Sequence, residues 1–320
     1  VNAAAAACAA AEPARVGLII ADASGIGTNR RNPAGPADPQ APVLLLRRRR
    51  DDSPLAAMLV VSMHPTVLHE DSTLISGDLP AMTRQYLQAN LLGANCPVLW
   101  HTGAAGNLSP RHVVREHSFA EARRLGGLLG AAIARQVRSM QFLDSVAIEC
   151  RRELVDLPLR SLPSVQQAEL QVQLAAQRLD QLCRQAAPPA QVRTAECDWF
   201  GARETLALAR AAADGRIGAV AASCLPAEVQ LIRIGPWNFV AWPGEIFVEF
   251  ALEVKRRCPQ TFIISYANGE LQGYLVTQEA VDEGGYEASN ALFKSPDSPN
   301  LLVQATLRLA GRHTGQKATP

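Results

Sequence analysis

Short β-type apolar runs alternate with segments of helical spacing along almost the whole chain, and glycine or proline closes most of them. This alternation constrains the fold more than any other feature, because elements of both kinds must bury their apolar faces against one another in layers. Runs at 16–21, 43–46, 59–61, 96–100, 228–234, 237–241 and 261–266 read as strands, the second and third forming a hairpin. Helical spacing covers 3–11, 79–92 and 118–140, with Ser118 as a cap and Glu121 three residues on. It returns at 164–186, is broken by Pro188 and Pro189, resumes at 202–213, and continues at 246–257 directly behind Glu245. The expected fold is α/β: a central β-sheet structure flanked by helices, one domain over residues 1–320, with a helical pair at 164–213 as an excursion.

Several function classes are set aside by composition. The 320 residues are 48% hydrophobic and carry a net charge of +1, ample for a core and too balanced to signal nucleic acid as a partner. The one dense basic run, four arginines at 47–50, is followed at once by Asp51, Asp52, Ser53 and Pro54, and reads as a solvated hairpin turn. Seven dispersed cysteines without a C-x-x-C signal neither a disulfide framework nor a zinc knuckle. No apolar stretch approaches the roughly 20 residues that span a bilayer, so no transmembrane segment is expected, and the compartment stays open. A dinucleotide site is suggested by G-I-G-T-N-R after the first strand, but the third glycine is missing and Pro33, Pro36 and Pro39 forbid the phosphate-binding helix.

Candidate chemistry lies at the junctions between elements. His64 ends an apolar strand ahead of Pro65; His69, five residues on, has neither helix-face nor alternate-strand spacing for shared metal binding. Ser109 follows the glycine-rich turn G-A-A-G-N-L and precedes Pro110, where a turn or cap role competes with a catalytic one, since no G-x-S-x-G elbow is present. Glu245 ends W-P-G-E, as a helix-dipole partner or a metal ligand. Three of the four tyrosines lie between Tyr266 and Tyr286; two of them, Tyr274 and Tyr286, each follow a glycine. With aromatic residues only 5% of the chain, that clustering points to a site over core filling.

The order of these segments carries more than any one of them: N-R-R at 29–31, H-P-T at His64, S-G-D at 76–78, G-A-A-G-N-L-S-P at 103–110, P-G-E at 243–245, then G-Y-L-V-T and G-G-Y-E. Together they resemble the neutral/alkaline, non-lysosomal ceramidase family from about Pro13 to Phe293, apart from residues 166–213, which take no part in the likeness. The resemblance implies a zinc-dependent amide hydrolase of sphingolipid or other lipid metabolism. Its substrate would be ceramide or a related small-molecule or lipid N-acyl amide. Carried over motif by motif, it makes His64, Glu245 and Tyr274 ligands of Zn²⁺, and gives Ser109, Tyr286 and Arg30 catalytic roles. Zinc accepts such N and O ligands and lowers the pKa of a bound water to about 7, while an arginine or tyrosine can donate to a developing oxyanion.

The chain departs from the family pattern in three places. The family's first histidine ligand precedes the Asn-Arg segment, where residues 1–28 contain no histidine, so the chain is expected to be a catalytic domain lacking its amino-terminal part. Asn107 stands where the family motif has aspartate, and residues 1–320 are expected to hold no counterpart of the family's carboxy-terminal immunoglobulin-like domain. The alternative reading is a degenerate, non-catalytic ceramidase-like binding protein.

Overall fold

The computed structural model describes residues 1–69 and 72–311. Its contacts group the chain into two compact units, Val1–Ile148 with Arg233–Pro236, and Glu149–Ile232 with Trp237–Pro320. The sequence suggests one domain because both boundaries fall inside or beside strands, with no change of composition to mark a linker.

The first unit contains α1 (Asn2–Ala9), β1 (Ala14–Asp22), β2 (Thr28–Asn29), β3 (Gln40–Arg48), β4 (Pro54–Val61), α2 (Asp78–Leu87), β5 (Val98–Thr102), β6 (Leu108–Ser109), α3 (Phe119–Val137) and β7 (Phe142–Leu143). A five-stranded sheet runs β5-β4-β3-β1-β7, antiparallel except for the parallel β4/β5 pair. The expected hairpin is β3/β4, and its arginines are paired at the turn: Arg47 bonds Asp52 at 2.8 Å and Arg48 bonds Glu12 at 2.8 Å. The Ser118 cap forms as expected, its hydroxyl accepting from Glu121 N at 3.1 Å. Helix α3 then buries Leu125, Leu129 and Ile133, each worth roughly 1.5–3 kcal/mol of apolar burial.

The second unit contains β8 (Ile148–Val155), α4 (Val165–Arg184), α5 (Pro189–Ala213), α6 (Ile217–Ala222), β9 (Ala227–Ile234), β10 (Trp237–Ala241), β11 (Glu245–Ile246), α7 (Val248–Arg257), β12 (Thr261–Ile264), β13 (Tyr274–Leu275), α8 (Gln278–Glu283), α9 (Tyr286–Ser289) and α10 (Asp297–Gly311). Its four-stranded sheet has the order β12-β10-β9-β8, with β10 and β12 parallel, and β11 pairs with β13 as a separate parallel bridge. Helix α4 opens with a capping box, Ser164 accepting from Gln167 N while the Gln167 side chain accepts from Ser164 N. Far from standing apart, α5 supports α9: Thr205 Oγ1 donates to Ser289 O at 2.5 Å.

One local expectation changes. Glu245 does not open a helix; it sits in strand β11, and α7 begins three residues later behind Phe247. The apolar spacing after Glu245 is real, but Ile246 and Phe247 are spent on the bridge to β13, with Phe247 N donating to Leu275 O at 3.0 Å. Glu245 therefore lies outside the first turn of α7.

Candidate functional site

The six residues singled out by sequence fall into two clusters, three in each unit. In the first unit the short β2/β6 ladder sets Thr28 opposite Ser109 and Asn29 opposite Leu108, and Arg30 N donates to Asn107 O at 2.8 Å. Buried Asn29 shapes the arginine segment, its Oδ1 accepting from Arg31 N at 3.0 Å and Asn32 N at 3.3 Å, a turn that asparagine favours. His64 joins the same loops: its backbone N donates to Leu108 O at 3.2 Å, and its Nδ1 lies 2.7 Å from Ala105 O and 3.0 Å from Leu108 O. Two carbonyl oxygens at Nδ1 require the proton there, so the neutral ring carries its lone pair on Nε2.

Asp78 holds that loop in place. Its carboxylate, 5% exposed, accepts from Val67 N at 3.3 Å and Leu68 N at 2.8 Å, clamping the residues after His64 to the start of α2. Ser109 is buried and its Oγ accepts from Arg111 N at 3.3 Å, the cap role that its place before Pro110 suggested. His69 stacks on His117 with ring centroids 3.5 Å apart, a pairing in the first unit that involves neither His64 nor Ser109.

In the second unit the other three residues meet. Glu245 and Tyr274 are direct partners in the parallel β11/β13 bridge, as neighbouring strands bring their Cα atoms to about 5 Å. Tyr286 Oη donates to Tyr274 Oη at 2.7 Å, with the rings edge to face at 75°. A fourth residue joins them: Tyr266 Oη donates to Glu245 Oε1 at 2.6 Å. Carboxylate and phenol are each supported by a second phenol.

The chain is built to hold this arrangement. Trp242 is fully buried, and its Nε1 donates to Thr306 Oγ1 at 2.9 Å, anchoring the W-P-G-E turn to α10. The turn is laced to the tyrosine segment by Ala267 N to Trp242 O at 3.1 Å and Leu271 N to Pro243 O at 3.0 Å. Tyr266 itself has φ +57 and Asn268 φ +66, conformations that cost a non-glycine residue about 1–3 kcal/mol and gather at functional sites. A cavity of about 740 Å³ opens on the cluster, lined by Glu245, Tyr266, Tyr274 and Tyr286 together with Gln272 and Asn290. That size suits a small-molecule ligand.

Among the described residues, no group of three or more His, Cys, Asp or Glu side chains could hold a metal ion. A metal in the second unit has to draw on phenol as well as carboxylate, and the Glu245/Tyr274 pair offers one of each. The donor types suit zinc, and the flanking phenols are the kind of outer partners that orient metal ligands.

Sequence reading missed Tyr266 as a partner of Glu245, although it begins the tyrosine cluster, because only the folded turn brings positions 245 and 266 together. It also left out Phe200, Gly201 and Glu204 of α5, which line the cavity; helical spacing alone gives no hint of this.

The α/β architecture is that of a ceramidase-like fold. It is similar to neutral ceramidase from Pseudomonas aeruginosa, with a TM-score of 0.64 and 15% identity over 97% of this chain and 54% of that one. It is equally similar to a ceramidase complexed with C2, with a TM-score of 0.63 and 14% identity over 97% of this chain and 55% of that one. The chain thus spans about half the length of these structures. No family model matches the chain, and no curated protein matches it by sequence.

Proposed function

We propose that this chain is the catalytic portion of a zinc-dependent amide hydrolase of neutral-ceramidase type, cleaving the N-acyl bond of ceramide or a related N-acylated amine. The observation that carries the reading is the Glu245/Tyr274 bridge with a phenol donating to each member. Glu245 and Tyr274 are proposed as zinc ligands, and His64, with its lone pair on Nε2, as the imidazole ligand that the family resemblance assigns. Held by these residues, zinc would supply Lewis-acid activation of a water, whose pKa it would lower to about 7.

The surrounding residues then have defined work. Tyr286 donates to Tyr274 Oη and so favours the phenolate form. Tyr266 orients the Glu245 carboxylate by donating to its Oε1. Arg30 and Tyr286 are the proposed donors to the amide oxygen as it becomes an oxyanion, Tyr286 by turning its single proton from Tyr274 to the substrate. Ser109 is given an orienting role, since its place as a cap supplies no base to activate it. Water adds its oxygen to the acyl carbon, and the amine leaves with a proton, giving a carboxylate and an ammonium ion.

Metal content and amidase activity of the full-length protein test this reading. About one zinc per chain, lost together with hydrolysis in Glu245→Gln and Tyr274→Phe, is the expected result. A protein that binds N-acyl amines with no zinc, and is indifferent to both substitutions, is the non-catalytic binding protein instead.

A further inference from the structure

Asp78, the first residue of α2, combines two unfavourable features. Its side chain is buried, and no lysine, arginine or histidine bonds it among the described residues. Its φ of +48 lies in the left-handed region, which is costly for a residue with a Cβ. Buried aspartates are nearly always paired with a cation, and backbone strain outside glycine gathers at functional sites. Three N–H groups stand in for the cation here. Asp78 Oδ1 accepts from Val67 N at 3.3 Å and Leu79 N at 2.5 Å, and Oδ2 accepts from Leu68 N at 2.8 Å. Both oxygens must be acceptors, so an asparagine of the same shape would set its amide N–H donors against Leu68 N in one orientation and against Val67 N and Leu79 N in the other. Ser76 Oγ accepts from Asp78 N at 2.9 Å and fixes the main chain at the strained residue.

The strap that Asp78 holds runs straight back to His64. Val67 is fully buried; its N–H donates to Asp78, and its carbonyl accepts from His117 Nδ1 at 3.0 Å. Thr66 N closes a turn on His64 O at 3.0 Å. At the other end of the strap His64 N donates to Leu108 O, while the His64 ring sets Nδ1 against the carbonyls of Ala105 and Leu108. Only a ring kept at that spot holds its proton on Nδ1. Every residue from 64 to 68 except Pro65 is tied by a main-chain bond, so the grip of Asp78 on Val67 and Leu68 reaches the ring through a short and stiff path.

We infer that Asp78 is a positioning residue for His64: its carboxylate, acting through the strap at 64–68, keeps the His64 proton on Nδ1 and the lone pair on Nε2. The consequence for zinc rests on the proposed role of His64 as a metal ligand, whereas the tautomer itself does not. A role confined to starting α2 would cost stability and leave that ring where it is.

NMR of the histidine ring nitrogens in the metal-free, full-length protein tests the inference without needing turnover. The native protein should show His64 as one neutral tautomer protonated on Nδ1. Asp78→Asn should bring in the Nε2–H tautomer and speed exchange of the Nδ1 proton at least about tenfold. The control is Thr83→Val, which removes from α2 the bond of a fully buried hydroxyl to Leu79 O at 3.0 Å, outside the strap; it should lower the urea midpoint and leave the His64 ring unmoved. If Asp78→Asn does not fold, Ser76→Ala, which takes the acceptor from Asp78 N, should give the same change to a smaller degree. An unmoved ring in the Asp78 or Ser76 variant, or an equal change in Thr83→Val, overturns the inference. Zinc affinity by chelator competition separates the two claims: the ring change without zinc binding by the native protein refutes zinc ligation and keeps this inference, whereas tight zinc binding with an unmoved ring does the reverse. Where both hold, Asp78→Asn should weaken zinc binding about 10–100-fold.

Discussion

Replacing Gly273 by alanine attacks the proposed metal pair through the backbone alone. Gly273 has φ +78, and a Cβ built on it would lie 2.5 Å from Ala291 Cα, 2.9 Å from Asn290 O and 3.0 Å from Ala291 N. All three are main-chain atoms, so no side chain can swing aside. The left-handed conformation costs about 1–2 kcal/mol for an L-residue, and forced overpacking about 1–3 kcal/mol more. Gly273→Ala should therefore lose about 2–5 kcal/mol. The proper reference is Gly215 in the same unit, which ends α5 in a Schellman motif, with Arg216 N donating to Ala211 O at 2.8 Å and Gly215 N to Ala212 O at 3.0 Å. Gly215 has φ +69 and nothing within 4 Å of its would-be Cβ, so alanine there meets the conformational cost only, about 1–2 kcal/mol. Urea unfolding of both variants, followed by tryptophan fluorescence, measures the difference. Equal losses within about 0.5 kcal/mol, near the limit of such comparisons, would show that the close approach of β13 to residues 290–291 is not what holds Tyr274 in place.

Tyr266→Phe removes the phenol from Glu245 while keeping the ring; zinc affinity measured by chelator competition should fall about 10–100-fold, and an unchanged affinity would remove Tyr266 from the site. Glu121 is buried in the first unit, and the Arg124 guanidinium, bonded through Nε at 2.8 Å and Nη2 at 2.6 Å, holds its carboxyl at a pKa of about 2. A depressed carboxyl pKa stabilises the fold above the unfolded value of about 4.3, and that contribution is lost as pH falls from there toward 2. The urea midpoint of the native protein should thus drop more steeply over that window than that of Glu121→Gln, and parallel curves would contradict the assignment. Ser164→Ala removes half of the capping box on α4 and should cost about 1 kcal/mol, read as a shift in the same midpoint; no shift would mean the cap is idle.

Much of this was legible before folding, and for physical reasons. Helices with an intact cap, such as the one behind Ser118, announce both their start and their face, and the arginine-rich turn betrayed itself through the acids that follow it. Motif order named six candidate residues, and the fold sets three of them in each unit. What stayed hidden depends on tertiary pairing. A two-residue strand such as β11 has no periodicity to detect, so Glu245 looked like a helix start. Tyr266 and Asp78 act through backbone and side-chain partners that only the folded loops supply. The cavity wall from α5 lay in the segment with no likeness to any motif, yet the structural similarity extends over 97% of the chain.

Zinc K-edge absorption of the full-length protein, compared with its Tyr274→Phe variant, reaches the central claim most directly. The account predicts a first shell of nitrogen and oxygen at about 2.0–2.2 Å, with one oxygen lost in the variant. A shell with sulfur at about 2.3 Å, or one that Tyr274→Phe leaves unaltered, would contradict it.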